Sequence, residues 1–316
     1  MRLTKEGLLR INFRELPDNR TRLKCNFRCS YCLQIAGNVR EYSFGEEQFA
    51  MTKCVWDMLS RVEDAIMVRI NFNGEIFADG WATRCAFYID RIPNVRICEF
   101  ITNNSIDPKT YLDEIVPSKT TFNCSFHPEF VSIERFIENT LTLKGAGCDV
   151  FVNVCAIPQL VNKLPDMKET FDKHGIPFKL QGFLTLGGSY MGKKYPEQYT
   201  LAERRILKKT FYTKDEYSYF VRLRRTKGLD CYAGVDTINV FLDGSVKRCF
   251  TQDIGSVEGL VSGKVKLGEE PYPCHEKNCP CYAHFIGLKK FRKKYILSSR
   301  FVDNYEKTAG ENGLKG

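Results

Sequence analysis

The sequence predicts an α/β protein: a partial (β/α)6 barrel followed by a small, irregular, cysteine-rich C-terminal domain. Three observations carry this expectation. From residue 7 to about 181, short β-type runs alternate with amphipathic stretches, the pattern of a parallel sheet wrapped by helices. Six such units in one series suit an open or partial barrel with its site at the C-terminal ends of the strands. After residue 183 the alternation stops, and a Cys/Pro-rich stretch follows that orders itself poorly without a metal.

Each element has its own signal. LLRINF (8–13) reads as the first strand, and Ser43 with Glu46 forms the expected capping box of a helix through Arg61. IMVRINF (66–72) is the second strand, with a helix beyond Asp79. VRICEFIT (95–102) is the third, followed by a helix starting near Asp107-Pro108 with proline at its first position. TTFNCSF (120–126) is the fourth. The helix after it sets Phe130, Ile133, Phe136, Ile137 and Leu141 on one face. DVFVNVCAI (149–157) is the fifth strand, a helix covers roughly 162–174, and PFKLQGF (177–183) is the sixth. A charged helix begins near Thr200, and Asp243-Gly244 joins the two runs of TINVFLDGSVKRCF into a hairpin. The expected divisions are a barrel core over 1–199, a cysteine-rich extension over 200–288, and a basic helix with a frayed tail over 289–316.

Composition narrows the class. With 43% hydrophobic and 27% charged residues, the 316-residue chain reads as an ordinary soluble globular protein. No apolar run is long enough to span a membrane, and MRLTKEGLLRINF lacks a signal-peptide core, so the cytoplasm is the expected location. The net charge of +9 owes much to Lys289, Lys290, Arg292, Lys293 and Lys294, a cluster that reads as a solvated helix face, with a nucleic-acid contact as the alternative. Fourteen cysteines in a chain without an export signal point to metal or catalysis rather than disulfides. Three crowd into residues 25–32 and five into 231–281. The other six (Cys54, Cys85, Cys98, Cys124, Cys148, Cys155) sit in apolar stretches and are expected to be small buried hydrophobes without chemistry.

Cys25-Asn-Phe-Arg-Cys29-Ser-Tyr-Cys32 is a CxxxCxxC run just after the first strand. Three thiolates this close can hold three corners of a [4Fe–4S] cube and leave one iron open. An open iron can chelate an amino acid through its amine and carboxylate, and S-adenosylmethionine (SAM) carries such a group beside its sulfonium. One electron from the cluster then breaks a carbon–sulfur bond and releases a 5′-deoxyadenosyl radical. A zinc site would want a fourth Cys or His close by, and none lies between Cys32 and Cys54.

On these residues the sequence resembles the radical SAM superfamily over roughly residues 8–185. The resemblance implies that the backbone of Tyr31 approaches the adenine. Asn73-Gly74-Glu75-Ile76 resembles the GGEP motif that meets the SAM amino group, with Asn in place of the first Gly and Ile in place of Pro. Thr102-Asn103 and Ser125-Phe-His127 fall where the family places polar residues near SAM, with Ser125 facing its carboxylate or ribose. His127 is either a proton-transfer group or a structural histidine. Gln181 would point into the same mouth.

The second constellation is Cys231, Gly244-Ser-Val-Lys-Arg-Cys249 and Cys274-x4-Cys279-Pro-Cys281. It resembles the SPASM or Twitch extension of radical SAM enzymes, although the full SPASM array is absent. The resemblance implies one auxiliary [4Fe–4S] cluster on Cys231, Cys249, Cys279 and Cys281, with Cys274 either an alternate ligand or a bystander. A structural zinc ribbon, drawing on His275 or His284, is the other reading.

Two clusters imply that the adenosyl radical takes a hydrogen atom from a substrate carbon. The substrate radical then loses an electron to the auxiliary cluster and a proton to a base. His127, Asp236 and Glu203 are the candidate bases. The cluster motif starts at residue 25, which leaves little room for a leader-binding domain and favours a small metabolite or sugar-like substrate. A peptide-maturing radical enzyme is the alternative. The loop Gly187–Tyr199, with Tyr190, Lys193, Lys194 and Tyr195, would either cover the strand ends or serve as linker. A flavodoxin- or ferredoxin-type electron donor follows from the resemblance, and a membrane partner does not. A zinc-ribbon nucleic-acid binder is the reading from another class, disfavoured by the open-cornered CxxxCxxC.

Overall fold

The computed structural model describes residues 1–15, 21–32, 40–185, 188–211, 214–222, 225–249, 251–277 and 288. The expected basic helix and tail over 289–316, together with Cys279, Cys281 and His284, lie outside the described residues.

Six parallel strands form the expected series: β1 (Leu8–Arg14), β4 (Ala65–Ile70), β5 (Val95–Thr102), β6 (Thr120–Phe126), β7 (Asp149–Cys155) and β8 (Phe178–Gln181). Between β1 and β4 the chain adds a short parallel ribbon, β2 (Thr21–Leu23) with β3 (Arg40–Tyr42). Later come β9 (Asp230–Cys231), β10 (Thr237–Phe241), β11 (Ser245–Cys249), β12 (Gln252–Ser256) and β13 (Tyr272–Pro273). Among the described residues the main sheet has nine strands in the order β12-β11-β10-β1-β4-β5-β6-β7-β8. The Asp243-Gly244 hairpin therefore does more than close a turn. Its first strand, β10, pairs in parallel with β1, so β1 is an interior strand with neighbours on both sides.

The strands alternate in a way their apolar runs partly hide. In β1, Leu9, Ile11 and Phe13 are buried on one face, while Arg10, Asn12 and Arg14 are buried on the other. The polar face is stitched across the strands. Asn12 Nδ2 donates to Asn239 Oδ1 at 2.9 Å, Arg69 to Glu99 at 2.9 Å, and Asn123 Nδ2 to Glu99 Oε1 at 3.1 Å. A buried carboxylate is tolerated because it is paired and hydrogen-bonded. The helices are α1 (Glu46–Leu59), α2 (Gly80–Asp90), α3 (Ile133–Gly145), α4 (Leu164–Lys173), α5 (Leu201–Thr210), α6 (Lys214–Phe220) and α7 (Val257–Val261), of which α2 packs on β5, α3 on β6 and β7, and α4 on β8. Trp56 of α1, fully buried, meets Phe13 edge-on at 5.5 Å.

Three local expectations are corrected. The cap of α1 is Gly45, whose N–H donates to Gln48 Oε1 at 2.8 Å, rather than the Ser43–Glu46 box. No α-helix follows Asp107-Pro108. Three short 3₁₀ turns (Pro108–Thr110, Leu112–Glu114, Pro117–Lys119) fill the connection, because Pro117 and the β-branched Thr110, Ile115 and Val116 leave too little helix-forming chain. In α3 the buried face is Phe136, Ile137, Thr140 and Leu143, while Phe130 precedes the helix and Leu141 is exposed. The helices expected beyond Asp79 and near Thr200 begin there, and the structure adds their caps: Asp79 Oδ1 accepts from Trp81 N and Ala82 N, and Thr200 pairs reciprocally with Glu203.

Candidate active site

The C-terminal ends of the parallel strands surround a cavity of about 250 Å³. Cys25, Cys29 and Cys32 line it together with Gly74, Thr102 and Asn103 and with Ser125, His127, Asn153, Cys155 and Gln181. This is where a parallel α/β sheet presents a site, since loops there are free to vary over a rigid scaffold.

The cysteine loop is clamped from several directions. Asn103 Nδ2 donates to Asn26 Oδ1 at 2.8 Å, and Asn26 Nδ2 donates to Ser105 Oγ at 2.9 Å. Ser30 N donates to Glu129 Oε2 at 2.8 Å, and Phe27 stacks on Phe130 with centroids 4.7 Å apart. Cys32 N bonds to Cys29 O at 3.1 Å, a tight turn that brings two thiols to the same cavity. Burial, followed by the neighbouring Cys32 and Cys25, pushes the Cys29 thiol up to about 12; burial also raises Cys25. Crowded, desolvated thiols resist ionisation unless a cation compensates them, and a coordinating metal does so outright. Among the described residues, no three His, Cys, Asp or Glu side chains converge at a spacing that would clasp a single metal ion. The three soft donors border one open cavity instead. Asn153, whose Nδ2 donates to Gln181 Oε1 at 2.9 Å, keeps a buried Oδ1 with no hydrogen-bond partner. Three thiols, polar amides and an unsatisfied acceptor fit a thiolate-held [4Fe–4S] cluster with a polar co-ligand such as SAM.

The two motif residues after β4 act differently from each other. Gly74 lines the cavity at φ +148°, and a Cβ there would meet the backbone O of Leu23 at 2.2 Å, so only glycine lets β2 approach. Glu75 is fully buried and is not among the residues that line the cavity. It accepts from Thr102 Oγ1 at 2.7 Å, Asn103 N at 2.5 Å and Phe77 N at 3.1 Å, which ties the end of β4 to the end of β5. Burial pushes its pKa up to about 7. Asn73 donates its backbone N–H to Glu15 Oε1 at 3.0 Å and does not line the cavity.

His127 is the one candidate base that borders the cavity. Its Nδ1 lies 2.8 Å from the Tyr31 hydroxyl and 3.4 Å from Cys29 Sγ, and its ring stacks on Tyr31. Burial pushes its pKa down to about 4, which keeps the ring neutral near pH 7. The other two candidates are corrected. Asp236 precedes β10 at the opposite, N-terminal end of the sheet, where it pairs with buried Arg10 at 3.3 Å. Glu203 caps α5 on the surface. Both were plausible by residue type only, because strand polarity decides which end of the sheet a loop residue occupies.

Tyr31, Gly74, Asn103, Ser125 and Gln181 all line the one cavity. The sequence reading missed Arg22 and Asn153, and it assigned no chemistry to Cys155, which lines the cavity. Cys155 ends β7, two residues beyond Asn153 on the same face, and that period of two was the available signal. Of the later cysteines, Cys231 lies in β9, Cys249 ends β11, and Cys274 follows β13, which pairs with β9. Cys249 Sγ lies 3.4 Å from Thr251 Oγ1, which donates to Glu276 Oε1 at 3.0 Å; Cys274 Sγ lies 3.9 Å from the Glu276 backbone O.

Solved structures share this architecture at low sequence identity. Streptococcus suis SuiB bound to precursor peptide SuiA matches with a TM-score of 0.53 and 12% identity, over 80% of this chain and 64% of that one. Native anSMEcpe with bound AdoMet matches with a TM-score of 0.52 and 14% identity, over 96% of this chain and 97% of that one. At this identity the likeness is one of fold: this chain shares with these structures a partial barrel built on parallel strands. The chain spans just under two thirds of the length of SuiB. No protein-family model and no curated protein sequence matches it.

Proposed function

We propose that this chain is a radical SAM enzyme that abstracts hydrogen from a substrate carbon. The observation that carries the reading is the set of three thiols, Cys25, Cys29 and Cys32, lining one cavity at the C-terminal strand ends. When bound, a [4Fe–4S] cluster with SAM supplies one-electron cleavage to a 5′-deoxyadenosyl radical. The chain's residues supply the rest. The three cysteines hold the metal, and Phe27, Tyr31 and Phe126 exclude water. Asn103, Ser125 and Gln181 offer donors and acceptors that orient SAM and substrate. His127, neutral and sharing Nδ1 with the Tyr31 hydroxyl, can accept a proton at that nitrogen.

An auxiliary cluster on Cys231, Cys249, Cys279 and Cys281, with Cys274 as alternate, is the second part of the proposal. The hydrogen-bonded path from Cys249 through Thr251 and Glu276 to Cys274 supports a shared site. A small metabolite or sugar-like compound remains the first reading of the substrate. A peptide is the second, favoured by the precursor peptide on SuiB and the Cp18Cys peptide on anSMEcpe. The net charge of +9 suits an acidic flavodoxin or ferredoxin as electron donor.

Anaerobic reconstitution tests the whole. The expected result is about 8 irons in wild type and about 4 in Cys231→Ala/Cys249→Ala, with 5′-deoxyadenosine formed on reduction. About 4 irons in both, with zinc in wild type only, would reduce the tail to a zinc ribbon. No iron and no deoxyadenosine would sink the proposal.

A further inference from the structure

Arg22 is the only permanently charged side chain among the described residues that line the cavity. It is 3% exposed. The parallel ribbon of β2 and β3 places it opposite Glu41, to which its Nη2 donates. Glu41 also accepts from the exposed Arg28 at 2.8 Å, so one carboxylate is shared by two guanidinium groups. The other edge of Arg22 faces the cysteine loop, where Nη1 lies 3.9 Å from Cys32 Sγ. Its Nε is buried with no hydrogen-bond partner. Burying a guanidinium is costly unless its charge and donors are answered. Here the carboxylate answers one edge, and the remaining positive charge is directed at the cysteine loop.

We propose that Arg22 is a positioning residue that sets the reduction potential of the cluster held by Cys25, Cys29 and Cys32. Its guanidinium donates to the Cys32 thiolate, and Glu41 sets how much positive charge reaches the site. The inference rests on the radical SAM reading. Reduction adds one negative charge to the cluster, and a hydrogen bond or cation at a ligating sulfur favours the reduced state. Arg22 carries its charge at every accessible pH, so this bias is permanent. Removing it lowers the potential, and removing the Glu41 charge raises it.

The test is a redox titration followed by electron paramagnetic resonance of the reduced cluster, without SAM. It is run in the Cys231→Ala/Cys249→Ala background, so that one cluster is observed. Arg22→Gln is expected to shift the reduction equilibrium about tenfold toward the oxidised form, roughly 59 mV for a one-electron couple. Arg22→Lys recovers part of that shift, and Glu41→Gln moves it the opposite way. An unchanged potential in Arg22→Gln with weakened SAM binding would overturn the proposal and make Arg22 a ligand of the SAM carboxylate. If Arg22→Gln fails to load iron, Glu41→Gln decides: an upward shift supports the proposal and no shift overturns it. A parent protein that loads no iron removes the radical SAM reading itself, and that result precedes any comparison of variants.

Discussion

Gly74→Ala offers the sharpest test of how the cavity is assembled. At φ +148° an alanine is strained, and its Cβ would sit 2.2 Å from the Leu23 O and 2.7 Å from the Leu23 carbonyl carbon. Neither contact is with a flexible side-chain tip, so backbone has to move. The dihedral strain costs about 1–3 kcal/mol, and the overpacking costs about 1–3 kcal/mol. The sum, roughly 2–6 kcal/mol, is a large part of the 5–15 kcal/mol typical of a folded domain. The movement has a direction. Glu75 N donates to Lys24 O at 3.2 Å, so pushing Leu23 away pulls on the segment that leads into Cys25. Urea unfolding of the metal-free protein should show a lower midpoint, and reconstitution should show reduced iron loading. Gly80→Ala is the control, because a Cβ there meets nothing within 4 Å and the residue opens α2. A Gly74→Ala protein with the unfolding midpoint and iron content of wild type would refute the close approach of β2 to the β4 end.

Two further outcomes follow from caps and buried carboxylates. Asp79 accepts from Trp81 N and Ala82 N and also from Phe44 N at 3.1 Å, so Asp79→Ala should cost about 1–2 kcal/mol in urea unfolding. An unchanged midpoint would mean the cap is not formed. Burial raises Glu15 to about 6 and Glu75 to about 7, each from 4.5. The folded state then holds protons that the unfolded chain has released, so stability falls as pH rises from 4.5 toward 7. Glu75→Gln should flatten the upper part of that decline, and parallel pH profiles for the two proteins would show that Glu75 does not titrate this way.

Much of this arrangement was legible because its signals are local. The six parallel strands follow from runs such as VRICEFIT and TTFNCSF, whose boundaries coincide with β5 and β6. The three thiols follow from a spacing that one short loop can satisfy. The rest depends on pairing between distant segments. Nothing near Asp236 announces that β10 joins β1 in parallel, which is what carries that aspartate to the wrong end of the sheet. Arg22 reads as one basic residue among many until β3 places Glu41 opposite it. Cys155 reads as one more apolar cysteine until β7 is set beside β6 and its inner face becomes the cavity wall. The connection after Asp107-Pro108 misled for the opposite reason: its helix-start signal is genuine, but the chain behind it cannot propagate a helix.

The interior position of β1 has a consequence for how the chain is made. Arg10 and its partner Asp236 are 226 residues apart in sequence. At a synthesis rate of about 5–20 residues per second, roughly 11–45 s pass between their appearances on the ribosome. Throughout that interval Leu9, Ile11 and Phe13 belong to a strand with one open edge, and an open apolar edge is a template for pairing with other chains. The cysteine loop leaves the tunnel immediately behind that edge. Nascent chains stopped before residue 237 should therefore depend on chaperones and take up iron poorly, whereas chains long enough to lay β10 beside β1 close the edge themselves.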